Sequence, residues 1–217
     1  MRTKGLFGLS MLCLLSAAIL ATIYLAWIFY PMEISWLKID QAVPFAKPVI
    51  ARNFEILMDY LTNPFDWSLD LPNFPSSTNG LHHFQQVKLI FHAVQVVFIV
   101  TLPAALLFIR EVIAKGFLSL YSKSLLFLIA LPLFIGGLAA LFGFETFFVL
   151  FHKLLFWGDQ TWLFDPVTDP VIWILPENFF LHAFLLFFSL YELSLIFLYF
   201  WAKSSYGVKK RLANFRN

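Results

Sequence analysis

Residues 152–180 read HKLLFWGDQTWLFDPVTDPVIWILPENFF, a run that holds three tryptophans, three aspartates and three prolines. Strongly apolar sequence flanks it on both sides. Connections in compact proteins commonly run about 2 to 6 residues, so this stretch is far longer than a turn between two helices requires. It reads as an outer segment built for a purpose, and the apolar windows beside it read as spanning helices.

Composition sets the solvent. Hydrophobic residues make up 60% of the 217, charged residues 13%, and the mean hydropathy is +0.79. A soluble domain carries about 25% charged residues, so the chain is expected in a bilayer, as a single integral domain over residues 1–217. A spanning helix needs about 20 apolar residues, and four windows qualify: Leu6 to Tyr30, Leu89 to Ile109, Leu125 to Phe151 and Phe179 to Trp201. The first follows Arg2 and Lys4 as a signal peptide would, but its apolar run exceeds the roughly 7 to 15 residues of such a region. The expected fold class is therefore all-α integral membrane: a four-helix bundle with two long extracytoplasmic segments. The single cysteine, Cys13, lies in the first window and excludes an intrachain disulfide or a thiolate metal cage.

Basic residues orient the bundle, because cytoplasmic segments near spans are enriched in Lys and Arg. Arg2, Lys4, Arg110, Lys115, Lys123, Lys203, Lys209, Lys210, Arg211 and Arg216 fall on one side. Lys38, Lys47, Arg52, Lys88 and Lys153 fall on the other, spread over two longer segments. Both termini are thus expected to be cytoplasmic. The two outer segments, 31–88 and 152–178, hold ten of the thirteen acidic residues, and an active surface would face outward. The net charge of +2 points to no partner, and no nucleic acid is expected.

The first outer segment has its own organisation. VIARNFEILMDYL, residues 49–61, places Ile50, Phe54, Leu57, Met58 and Leu61 at helical spacing with Arg52, Glu55 and Asp59 off that stripe. NPFD then stops the helix. Too short to span, it would lie in the interface with its apolar face toward lipid, or cover the bundle. LPNFPSSTNG, residues 71–80, has turn chemistry throughout and reads as a mobile loop. It delivers LHHFQQVK, residues 81–88, to the second span.

At the outer helix ends His83, His152 and His182 are expected at a similar depth. Titratable groups there are costly enough to be functional candidates, and two imidazoles can remove and return protons in one cycle. They could also hold a metal, although no HExxH or carboxylate pattern accompanies them. His92, deeper in the second span, is a possible haem ligand but reads better as a packed histidine. Glu145, Glu192 and Gln95 read as paired or packing groups within spans, while Pro103, Pro132, Gly136 and Gly137 bend helices or let neighbours approach. On these residues alone a lipid-active enzyme, a haem or metal enzyme and a non-catalytic assembly factor stay open.

FHKLLFWGDQTWLFDPVTDPVIWILPENFF, with LHHFQQVK and NFEILMDYL, resembles the bacterial integral membrane family of the lipoprotein intramolecular transacylase, Lit. The likeness covers most of the chain in order, and its most specific part is the histidine followed by aromatics, W-x-F-D-P, D-P and P-E-x-F-F. Before the second span the family's run of His-Met-x-Asp-Val-Lys is here His83-Phe84-Gln85-Gln86-Val87-Lys88. The resemblance implies an enzyme of the bacterial cell membrane that moves the sn-2 acyl chain of a diacylglyceryl lipoprotein to the α-amino group of its N-terminal cysteine, yielding a lyso-form lipoprotein. His83 and His152 would be the catalytic pair, with Lys88, Lys153, Trp162 and Asn178 on the substrate. Membrane lipid and the lipoprotein are the implied partners, and neither metal nor other cofactor is expected. The Trp-rich stretch, with Trp157, Trp162 and Trp173 at headgroup level, would then cap the site and keep water from the ester.

Overall fold

The computed structural model describes residues 2–214, with side chains from 3 to 204. The side chains of Arg2, Lys209, Lys210, Arg211 and Arg216, which contribute to the orientation argument, lie outside the described residues. Seven α-helices follow in order: α1 (Arg2–Trp36), α2 (Ile39–Ala42), α3 (Lys47–Thr62), α4 (Thr78–Phe108), α5 (Ser122–Phe142), α6 (Phe144–Leu155) and α7 (Glu177–Asn214). Among the described residues, four stretches are long and apolar enough to cross a membrane: Thr3–Trp36, Thr78–Ile113, Leu118–Phe142 and Glu177–Ser204. The protein is an all-α integral membrane protein, as its composition requires.

The chain divides into two compact units. The first comprises Met1–Ile19, Val96–Leu141 and Leu186–Asn217. Its interior is mostly aliphatic, with Phe108, Leu118, Leu125 and Leu195 buried, and Phe7 stacked on Tyr121 at 4.5 Å between ring centroids. Large apolar side chains such as Val100, Phe127, Leu141 and Phe200 point outward, an arrangement suited to lipid. Polar side chains inside the spans satisfy themselves locally: the hydroxyls of Ser10, Thr101 and Ser194 donate to carbonyls four residues back. Of the two adjacent glycines on α5, only Gly136 supports a close approach, since a Cβ there would meet the Phe188 ring at 3.3 Å while one at Gly137 would meet nothing.

The third apolar window is not one helix. It breaks at Gly143, whose φ of 89° and ψ of 148° suit glycine alone. α5 ends before it and α6 starts after it, so Glu145 sits exposed in the first turn of a new helix, where a carboxylate is favoured.

The second unit, Leu20–Gln95 with Phe142–Leu185, contains the outer segments. α6 lays Phe144, Phe147 and Phe151 against Phe184 of α7, with centroids 5.0 to 5.7 Å apart. The apolar stripe of α3 is buried by the protein itself, with Ile50, Phe54, Leu57, Met58 and Leu61 all in the core, so α3 covers the fold instead of resting that face on lipid. Tyr30 is the hub: its ring stacks on Phe54 at 3.5 Å, meets Phe179 edge-on at 5.6 Å, and its hydroxyl donates to the Ile174 carbonyl at 2.6 Å. The loop at residues 71–80, which reads as mobile, is fastened. Asn53 donates to Asn73 Oδ1 at 2.9 Å and accepts from the Asn73 amide at 3.2 Å, while Leu71 and Phe74 are buried.

Candidate active site

The helix that carries His83 begins at a clip. Ser77 caps α4 by accepting the Gly80 amide hydrogen on its hydroxyl at 3.0 Å. Buried Asp169, from the second outer segment, accepts in turn from the Ser77 amide at 2.7 Å and the Ser77 hydroxyl at 2.8 Å. Gly80 makes room for this, because a Cβ there would collide with Asp169 Oδ1. The second outer segment is thereby registered on the first turn of α4, and two residues past Gly80 the histidines begin.

His83 is buried, 7% exposed, and faces His152 of α6 with ring centroids 6.1 Å apart. Aromatic rings enclose the pair. Phe156 and Phe164 meet His83 edge-on at 4.7 and 5.5 Å, while Phe148 and Trp162 lie over His152 at 4.2 and 4.9 Å. His152 Nδ1 is 2.8 Å from the Phe148 carbonyl oxygen. A carbonyl only accepts, so Nδ1 carries the hydrogen and the lone pair of the neutral ring is on Nε2. Burial pushes the His152 pKa below its ordinary value and outweighs that hydrogen bond. The pair therefore offers a neutral imidazole whose free nitrogen is defined, in apolar surroundings.

Asp159, in the turn after α6, stands behind the pair. Its Oδ1 accepts from the Thr161 amide at 2.8 Å, and its Oδ2 accepts from Gln86 Nε2 at 2.6 Å and lies 3.2 Å from His82 Nε2. The Thr161 amide is the main reason its carboxyl is pushed down to about 2. Neither Asp159 nor Asp169 stands out in the sequence as a site residue. The signal was there for Asp159: an aspartate just after a glycine and two residues before Thr161 has the spacing of a side-chain-capped turn.

The other expected residues disperse. Trp162 joins the pair, whereas Lys153 and Asn178 are exposed on α6 and at the start of α7. Lys88 is fully buried, and its ammonium donates to the carbonyls of Tyr60 and Asn63 at the end of α3, over the Tyr60 and Trp67 rings at 4.6 and 5.0 Å. It serves the unpaired carbonyls of a helix terminus. His182 pairs with Glu33 of α1 at 2.8 Å, and His92 bonds Gln95 one turn along its own helix at 2.8 Å. Among the described residues, no three His, Cys, Asp or Glu side chains converge as a metal site would require.

Comparison with known proteins identifies the family. The family model described as lipoprotein intramolecular transacylase Lit matches residues 5–180. Among solved structures, the membrane integral lipoprotein intramolecular transacylase Lit from Bacillus cereus superposes with a TM-score of 0.81 at 32% identity, covering 97% of this chain and 96% of that one. Two variants of the same Bacillus cereus protein, with a histidine replaced by alanine or by arginine, give TM-scores of 0.76 and 0.75 at 33% identity. They cover 97% and 98% of this chain, and 94% and 93% of theirs. No curated protein matches by sequence search. A four-span helical protein with an enclosed histidine pair, matched over nearly its whole length, belongs to the Lit family of lipoprotein intramolecular transacylases.

Proposed function

We propose that the protein transfers the sn-2 acyl chain of a diacylglyceryl lipoprotein from the glycerol oxygen to the α-amino group of the N-terminal cysteine, with His83 and His152 as the acid–base pair. The observation that carries this reading is the facing of the two imidazoles within an aromatic enclosure. Proton counting explains why two are useful. An ammonium that becomes an amide nitrogen loses two protons, of which one goes to the departing glycerol oxygen and one to solvent. His152 takes the first, freeing the amine. The amine nitrogen attacks the ester carbon, and His83 takes the second proton as the new C–N bond forms. The C–O bond then breaks, and protonated His152 returns its proton to the glycerol oxygen. A histidine whose burial disfavours the charged form gives that proton up readily. No covalent acyl-enzyme is needed.

Nucleophile and ester belong to one molecule, so positioning supplies much of the rate, with effective molarities of about 10⁵ M or more in favourable cases. Trp162 over His152 supports a role in seating the glyceryl ester, and to exposed Lys153 and Asn178 we assign contacts with the substrate's polar part. Lys88 we assign to holding the end of α3 on α4. The outer face of the bacterial cell membrane is the expected location of the pair. Mass spectrometry of a lipoprotein N-terminus from cells with and without this protein tests the reaction. His83→Ala and His152→Ala should each abolish the lyso-form at wild-type protein levels, and the double variant should be scarcely worse than either. Full activity of a stably produced His152→Ala protein would remove the basis of the proposal.

A further inference from the structure

Behind His83 lies a set of polar groups that the steps above do not use. Asp159 accepts from Gln86 Nε2 at 2.6 Å, and because an ionised carboxylate can only accept, Gln86 has to turn its NH2 group toward it. The amide carbonyl, Gln86 Oε1, is then the atom left to point elsewhere. It is buried and without a partner, and so is His83 Nδ1, one helical turn earlier on α4. His83 and Gln86 stand three residues apart on α4, the spacing at which side chains on one helix face meet, and neither of these two atoms has a partner. Two buried polar atoms, one able to donate and one only to accept, have complementary needs at i and i+3 of the same helix.

We propose that Gln86 and Asp159 are positioning residues for His83, with the Gln86 carbonyl accepting the His83 Nδ1 hydrogen and Asp159 setting the direction of that carbonyl. This rests on the reading of His83 as a base. The relay holds the lone pair of neutral His83 on Nε2. When the ring takes the amine's proton at Nε2, the Nδ1 hydrogen stays in place. The positive imidazolium then meets the negative end of an amide dipole with a carboxylate behind it. The charged and titratable groups around this relay are His82, which shares Asp159 Oδ2 from its half-exposed position, and His152 facing His83.

The test uses the full-length protein in vesicles of phosphatidylethanolamine and phosphatidylglycerol, with a synthetic diacylglyceryl lipopeptide as substrate. Gln86→Leu should lower kcat about ten-fold while KM stays within about two-fold, since Gln86 is read as binding no substrate. The double exchange Gln86→Glu with Asp159→Asn swaps amide and carboxylate in place, keeping volume and the hydrogen bond between them. It should recover most of the lost kcat and, by putting a carboxylate directly on His83, raise the acid limb of the kcat/KM profile by about one pH unit. A wild-type kcat in Gln86→Leu, or an exchanged protein whose acid limb coincides with the wild type, would overturn the relay. His83→Ala is measured in parallel. Full activity there refutes His83 as the base, whereas loss there beside an unaffected Gln86→Leu refutes the relay alone. If Gln86→Leu does not accumulate, the exchanged protein decides.

Discussion

His152 is a histidine that folding keeps neutral. Its pKa in the folded protein lies below the ordinary 6.5 because burial disfavours the charged ring. Above pH 6.5 both folded and unfolded forms are neutral there, and the benefit is complete. As pH falls from 6.5 through the lower folded value, the unfolded chain binds the proton first, and stability is lost. Thermal unfolding in detergent should therefore show a falling Tm between pH 7.5 and 5, and His152→Asn should flatten that fall. An unchanged slope in the variant would contradict this. At this scale the sequence reveals which side chains are expensive, because an imidazole in apolar surroundings is conspicuous whatever it touches. It does not reveal partners. His182 is set at the same apparent depth as His83 and His152, yet it is spent on Glu33. Lys88 is expected on the substrate from the resemblance, yet its ammonium closes the end of α3. Asp159 and Gln86 are 73 residues apart in sequence, and only the fold makes them neighbours.

Among the elements, the third span shows where periodicity runs out. Phe142, Gly143 and Phe144 sit in an unbroken apolar stretch, and hydropathy has no means of registering a dihedral angle. The four windows, the amphipathic α3 and the long outer segments are legible because each depends on local composition. The break at Gly143, the fastening of residues 71–80 through Asn53, and the burial of the α3 stripe all depend on contacts made elsewhere in the chain. Gly143→Ala tests the break directly. A side chain in that backbone region costs about 1 to 3 kcal/mol, which the chain can relieve by rotating α6. Since α6 carries His152, the variant should lose activity more than ten-fold with a modest drop in Tm. A displacement of about 1 Å can cost a hundred-fold in rate. Wild-type turnover would show that the break does not set the position of His152.

For the whole molecule, the asymmetry of Lys and Arg predicts that a reporter fused after Asn217 reads out in the cytoplasm, and that cysteine-accessibility labelling at an exposed outer position such as Lys153 succeeds from outside intact cells. Labelling of the C-terminus from outside would invert the arrangement and put the histidine pair on the face opposite to the one the proposed reaction requires. The Tyr30 hydroxyl bears on timing. It closes onto a carbonyl 144 residues further along the chain, and the Ser77 clip onto a side chain 92 residues further along. At synthesis rates of about 5 to 20 residues per second, the partner of Tyr30 is made on the order of ten seconds after Tyr30 itself. From the synthesis of residue 83 until that of residue 152 a nascent chain holds His83 without His152, and the Tyr30 clasp waits longer still, for Ile174. The proposed pair is thus completed only in the last third of translation, and a ribosome that stalls between residues 83 and 152 leaves behind apolar helices that hold His83 without its partner.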